Sequence, residues 1–291
     1  MKRYPLHIFT EHPRDWAGNL YVYPVISRRS GGLSIGINLN PDTACNFACV
    51  YCQVDRAGTP RVREVDLAML RGELDVMLLW ATDGSLLEHP RFANVPAELR
   101  PLRDIAFSGD GEPTTCPVFA EAVQLAAELK QAHGLDQVKL VLITDACYLT
   151  RPNVLAGLEM MDAHQGEIWT KLDAGTEAYF KAVNRPNTSL THVVENIIHA
   201  ARVRPLCIQS LWMRLHDTPP ASEEVEAFST RLLDILRAGG RIAQVQIYTV
   251  ARPPGESYAT PLSNGELGAI ATAVVRVTAL PVATYYGVWP A

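Results

Sequence analysis

The chain has 291 residues, 48% of them hydrophobic and 20% charged, a balance that supplies a large core and argues against disorder. No stretch approaches the roughly 18 uncharged apolar residues of a membrane span, and the net charge of −5 disfavours tight non-specific binding to nucleic acid. The first residues, MKRYPLHIFTEHPRDW, hold neither an apolar signal region nor a small-residue cleavage site, so the expectation is a cytoplasmic protein with no membrane association. The charge is uneven: residues 1–63 carry eight Lys and Arg (Lys2, Arg3, Arg14, Arg28, Arg29, Arg56, Arg61, Arg63) against four acids (Glu11, Asp15, Asp42, Asp55). Solvated surface arginines account for that excess more simply than a local anionic partner.

Strand-like and helix-like stretches alternate along the chain. Residues 33–39 (LSIGINL) alternate with strand periodicity, and residues 65–81 repeat with helical periodicity before a polar, proline-containing connection at 83–103. A strand at 105–108 leads through a glycine-rich turn to a helix near 118–132, closed by Gly134. The series continues with a strand at 138–144, a helix after Pro152, a strand at 167–173 and helices near 176–183 and 190–202. A strand at 206–215, a helix at 222–238, a strand at 242–250, a helix at 264–278 and a short strand at 282–286 complete it. Six such βα repeats predict parallel strands in a closed or nearly closed α/β barrel, with chemistry at the C-terminal strand ends. The expected division is an N-terminal extension, residues 1–32, packed on a single barrel domain, residues 33–291.

The six cysteines fall into one tight group, Cys45, Cys49 and Cys52, and three scattered ones, Cys116, Cys147 and Cys207. A disulfide framework belongs to small secreted chains with too little core, which this is not. The group sits in a loop just after the first predicted strand. Three clustered thiolates suit an iron–sulfur cluster, and three protein ligands leave one iron of a [4Fe–4S] cluster open. Structural zinc wants a fourth ligand, and the nearest candidates, His12 and His89, would need long-range folding. Unligated core cysteines are the plainest alternative. For Cys116, Cys147 and Cys207, whose wide separation forms no compact ligand motif, buried structural thiols are the expectation.

The pattern C-x3-C-x-aromatic-C, with Tyr51 as the aromatic, and its surroundings NLNPDTACNFACVYCQVDR resemble the radical S-adenosylmethionine superfamily. The resemblance runs from about Tyr21 to Tyr286 and implies a partial (β/α)6 barrel of parallel strands. It implies that Cys45, Cys49 and Cys52 ligate three irons of a [4Fe–4S] cluster and that S-adenosylmethionine chelates the fourth. One electron, from a donor such as flavodoxin or ferredoxin, then releases a 5′-deoxyadenosyl radical that abstracts hydrogen. The turn Gly109-Asp110-Gly111-Glu112 resembles the superfamily's Gly-Gly-Glu motif, which touches the methionyl ammonium, with Asp110 in place of its first glycine. Thr144-Asp145-Ala146 stands where relatives commonly have Thr-Asn-Gly, and Lys171-Leu172-Asp173 resembles their Ser-Leu-Asp. Tyr51, Gly109, Asp110, Gly111, Glu112, Thr144, Lys171 and Asp173 are thus the candidate cofactor-binding residues.

Strand alternation sends Trp169, Lys171 and Asp173 to one side of their strand, and Gln244, Gln246 and Tyr248 to one side of theirs, leading to Arg252. Lys171, Asp173 and Arg185, which could grip an anion bidentately, are the candidate catalytic residues; mutual pairing of Lys171 with Asp173 and simple solvation of Arg185 are the structural alternatives. The substrate stays open between a small molecule, a peptide and a modified nucleoside, with nucleic acid less favoured. The chain is similar to a bacterial branch related to the tRNA-modifying 4-demethylwyosine synthase, but lacks any cysteine before Cys45 for that enzyme's second cluster. The contrasting class is a non-enzymatic iron–sulfur protein for electron transfer or sensing.

Overall fold

The computed structural model describes Phe9, residues 16–56 and residues 62–287; His12 and the charges at positions 2, 3, 11, 14, 15 and 61 lie outside the described residues. The chain divides into two compact units, one of residues 1–44, 59–143 and 151–167, the other of residues 45–58, 144–150 and 168–291.

In the first unit, β1 (Val22–Ser27) pairs antiparallel with β2 (Gly32–Ile37), and β3 (Leu102–Phe107) and β4 (Lys139–Thr144) follow in parallel, giving the order β1-β2-β3-β4. β1 was not expected from sequence: VYPVIS carries no alternation, and Pro24, which donates no ladder hydrogen bond, suits a strand at the end of the order. α1 (Leu67–Asp83) starts at Asp66, whose carboxylate accepts from Ala68 and Met69 N–H, and stops at Gly84 with φ 90°. Its Glu73 captures three backbone donors at the start of β1, Leu20, Tyr21 and Val22, at 2.8, 2.8 and 3.0 Å. The connection at 83–103 holds a one-turn helix α2 (Ser85–Glu88) and a 3₁₀ turn, Ala97–Leu99. α3 (Phe119–Ala132) and α4 (Pro152–Ala163) pack on each other so closely that a Cβ on Gly157 would lie 2.6 Å from the Phe119 ring.

In the second unit, residues 168–171 of β5 (Gly166–Lys171), β6 (Leu206–Leu215), β7 (Ile242–Thr249) and β9 (Val282–Tyr285) are parallel neighbours in that order. β8 (Ala259–Pro261), too short to show periodicity, pairs antiparallel with the end of β6. α5 (Glu177–Asn184), α6 (Leu190–Val203), α7 (Ser222–Arg237) and α8 (Asn264–Thr278) connect them. Thr176, Ser189 and Ser263 cap the starts of α5, α6 and α8, the last with Glu266 in a reciprocal capping box. The register pairs Lys171 with Gln209, Gln209 with Gln246 and Leu211 with Tyr248, and alternate residues of a strand share a side. Among the described residues no helix is long and apolar enough to cross a membrane.

Candidate functional site

The cysteine loop belongs to the second unit and is anchored by its apolar residues. Val50 is fully buried among Val183, Leu211, Met213, Val250 and Ala259, and Phe47 meets Phe180 edge-on at 5.3 Å. Backbone bonds hold the loop from two directions. The N–H groups of Ala48 and Val50 donate to the carbonyls of Asn184 and Val183 at the end of α5, at 3.0 and 2.9 Å. Gly255 and Glu256 donate in turn to the carbonyls of Cys52 and Val50, at 3.0 and 3.2 Å. Gly255 must lack a side chain, because a Cβ there would lie 2.8 Å from the Cys52 oxygen.

The three thiols are left half-buried, whereas Cys116, Cys147 and Cys207 are buried, as expected of structural thiols. Asn184 Nδ2 lies 3.4 Å from Cys49 Sγ, and the Arg56 guanidinium lies 3.8 Å from Cys52 Sγ. Burial pushes the Cys49 thiol upward, an effect that the Lys171 ammonium opposes. Among the described residues no three His, Cys, Asp or Glu side chains converge to hold one metal ion. A single zinc draws its ligands to one point, whereas a cluster spreads them over several irons. Three thiols in one loop, with N–H donors beside two of the sulfurs, are a donor set of the kind that holds an iron–sulfur cluster.

Asp173 organises the surroundings of this loop. It is 2% exposed and is the second residue after β5. One carboxylate oxygen accepts from Leu211 N–H at 2.8 Å; the other accepts from Tyr51 Oη and, at 2.8 Å, from Asn184 Nδ2. Lys171 Nζ stands 3.8 Å from that second oxygen and 4.5 Å from the centre of the Tyr51 ring, so it pairs with a carboxylate and a π-face together. Burial alone would lower the Lys171 pKa, but the Asp173 charge, with Tyr248, Cys49 and Cys52, holds it above the usual lysine range. Burial, then Asp173 and Cys49, raise the Tyr51 phenol well above its ordinary value, so it stays a donor. The carboxylate and the π-face beside Lys171 both favour its ammonium form.

The segment after Asp173 is held by Glu224 on α7, which accepts from Gly175 N, Thr176 N and Thr176 Oγ1 at 2.5, 3.2 and 2.6 Å. The structure brings Cys49, Tyr51, Lys171 and Asp173 together and adds Asn184, which the sequence had shown only as the neighbour of Arg185. Arg185, in the left-handed region at φ 44°, points instead to Glu256 and Tyr258, with nitrogen–oxygen distances of 2.6 Å to each. Its carboxylate partner is internal, and it clasps the segment that lies on the cysteine loop. Thr144 Oγ1 accepts from Ala146 N–H at 3.0 Å, and Asn196 holds the carbonyls of Ala146 and Cys147. Ala146 has φ 66°, which explains why a glycine would suit that position.

The turn after β3 lies in the first unit. A Cβ on Gly109 would meet Asn38 Oδ1 at 2.3 Å, and one on Gly111 would meet the Ala44 carbonyl oxygen at 1.9 Å. Both glycines are required for close backbone approach. Asp110 is no loose replacement for glycine: its carboxylate accepts from Asn38 Nδ2 at 2.7 Å. Glu112 N–H donates to Ala44 O at 3.0 Å, one residue before Cys45 in the chain. The Glu112 carboxylate, 3% exposed, accepts from Thr114 N–H and Oγ1 at 3.1 and 2.5 Å and caps the 3₁₀ turn Pro113–Thr115.

Comparison with solved structures establishes the class of fold. A radical SAM methyltransferase from Sphaerobacter thermophilus superposes with a TM-score of 0.61 at 12% identity, over 91% of this chain and 69% of that one. The chain therefore has the radical SAM fold, a mostly parallel α/β partial barrel. No protein-family model matches the sequence. Among curated relatives, a UPF0026 protein of Helicobacter pylori is 23% identical over 248 residues, 84% of this chain and 70% of its own length. A protein of Brachyspira hyodysenteriae named GTPase Obg is 25% identical over 251 residues, again 84% of this chain but 32% of its own length. The chain thus spans about a third of that relative, and it contains no GxxxxGK[ST] phosphate-binding loop.

Proposed function

We propose that the chain is a radical S-adenosylmethionine enzyme in which Cys45, Cys49 and Cys52 hold three irons of a [4Fe–4S] cluster. The observation that carries this reading is the half-buried three-thiol loop on a radical SAM fold, with an amide donor at the Cys49 sulfur. When bound, the cluster and S-adenosylmethionine supply one-electron reduction and a hydrogen-abstracting 5′-deoxyadenosyl radical. The chain's own residues bind and orient. Asp173 fixes the Tyr51 ring through its hydroxyl, and Lys171 places its ammonium over that ring. Glu112, held rigid by Thr114, is assigned the methionyl ammonium, for which a buried carboxylate is a charge-assisted acceptor. An external flavodoxin or ferredoxin serves as electron donor. The substrate class is a small molecule, a peptide or a modified nucleoside.

Anaerobic reconstitution tests the assignment. Wild-type protein is expected to take up about four irons per chain, by the three-thiolate logic of an open cluster. Cys45→Ala, Cys49→Ala and Cys52→Ala should each abolish uptake, while Cys116→Ala, Cys147→Ala and Cys207→Ala should not. Dithionite-reduced protein should slowly release 5′-deoxyadenosine and methionine. An intact cluster that never cleaves S-adenosylmethionine would replace this reading with electron transfer. Glu112→Gln should leave iron content unchanged and weaken S-adenosylmethionine roughly tenfold or more, from the loss of a charged hydrogen bond.

A further inference from the structure

We infer that Asn184 is a positioning residue that sets the reduction potential of the cluster by donating an amide N–H to the Cys49 sulfur. The inference deepens the cluster assignment above and rests on it.

Asn184 is the last residue of α5 and is 1% exposed. Its backbone is tied to the cysteine loop, since its carbonyl accepts from Ala48 N–H at 3.0 Å and that of Val183 accepts from Val50 N–H at 2.9 Å. The side chain therefore cannot drift relative to Cys49 without breaking the loop's own anchors. Nδ2 carries two hydrogens and faces three acceptors: Asp173 Oδ2 at 2.8 Å, Cys49 Sγ at 3.4 Å and Tyr51 Oη at 3.4 Å. The carboxylate, charged and nearest, takes one hydrogen. The other is shared between the sulfur and the phenol oxygen, whose own proton goes to Asp173.

The opposite end of the amide reinforces this reading. Asn184 Oδ1 is buried and, among the described residues, has no hydrogen-bond partner. The side-chain contacts described for Asn184 are all at its nitrogen end, and Asp173 is the nearest of them. Asp173 in turn is fixed by Leu211 N–H and paired with Lys171. The chain from Lys171 through Asp173 to Asn184 thus brings one neutral N–H to the Cys49 sulfur, with the Tyr51 oxygen as its second acceptor. A hydrogen bond to a ligating sulfur withdraws electron density from it, which favours the reduced cluster and raises its potential. The amide does not titrate, so the contribution is constant with pH.

Asn184→Leu keeps the branched side-chain shape and removes the donor; Asn184→Ser removes the reach. Each variant is reconstituted anaerobically, assayed for iron and sulfide, and titrated potentiometrically with the reduced cluster followed by electron paramagnetic resonance. The expected result is wild-type iron content with a midpoint shifted to more negative potential in both. Asn196→Leu, which removes another buried amide of the same unit but none beside a cluster thiol, should leave the midpoint unchanged. Full iron with an unchanged midpoint in Asn184→Leu and Asn184→Ser overturns the inference. So does loss of iron in both, which would make Asn184 a structural prop for the loop. Failure of the wild-type protein itself to take up iron would sink the cluster assignment instead, before Asn184 is tested.

Discussion

Asp173→Asn is the sharpest perturbation of the site. Four donors converge on this carboxylate: Tyr51 Oη, Asn184 Nδ2 at 2.8 Å, Leu211 N at 2.8 Å and Lys171 Nζ at 3.8 Å. A carboxamide offers one oxygen and one NH2. If its oxygen faces Leu211, its NH2 opposes the donors of Tyr51, Asn184 and Lys171; if it is flipped, Leu211 N–H loses a buried acceptor. Each stranded buried donor costs about 1–3 kcal/mol, and breaking a buried ion pair costs about 3–5 kcal/mol. Lys171 keeps 19% of its side chain exposed, which softens the second figure. The expected loss is about 3–5 kcal/mol in all, read as a lowered urea midpoint of the iron-free protein followed by far-ultraviolet circular dichroism. Lys171→Met combined with Asp173→Asn should cost less than the sum of the two single changes, because the second removes what the first leaves unpaired. Iron content after reconstitution should match wild type, since no thiol is altered. An Asp173→Asn midpoint within about 1 kcal/mol of wild type would refute the argument that this carboxylate organises the site.

Gly175→Ala places a Cβ 2.0 Å from Phe228 N on α7, and because that atom is backbone the helix must move; thermal unfolding should show a loss of at least about 1–3 kcal/mol. Ala146→Gly relieves a left-handed backbone at φ 66° and should raise the melting temperature, by about 1 kcal/mol in stability. Burial raises the Asp104 pKa against the opposing hydrogen bonds of Ser30 and Ser34. A carboxyl with a raised folded pKa loses stability as pH climbs from the unfolded value of 3.8 through the folded one, so Asp104→Asn should stabilise more at pH 7 than at pH 3.5. Differential scanning fluorimetry at the two pH values checks the sign.

Most elements were legible because their signals are local. The helical period of residues 264–278 lies within one helix, and expected and observed bounds coincide. Residues 206–215 behave likewise as one long strand, while β1, with Pro24 and no alternation, and the three-residue β8 were invisible to periodicity. The cysteine spacing pointed to a cluster because three thiols within eight positions must share a loop whatever the fold. Alternation put Lys171 and Asp173 on one side, since strand geometry is periodic. What it could not say was that Asp173 would receive Tyr51 from 122 residues away, or that Asn184 would meet Cys49 across 135. Arg185 carried the charge and drew attention, yet it turns outward to Glu256 while its uncharged neighbour turns in. That choice is made where α5 ends: Asn184 closes the helix against the buried Val50 side of the cysteine loop, and Arg185 leaves it in a left-handed conformation. Packing of the helix on the loop, and no property of either residue alone, decides which side chain reaches the sulfur.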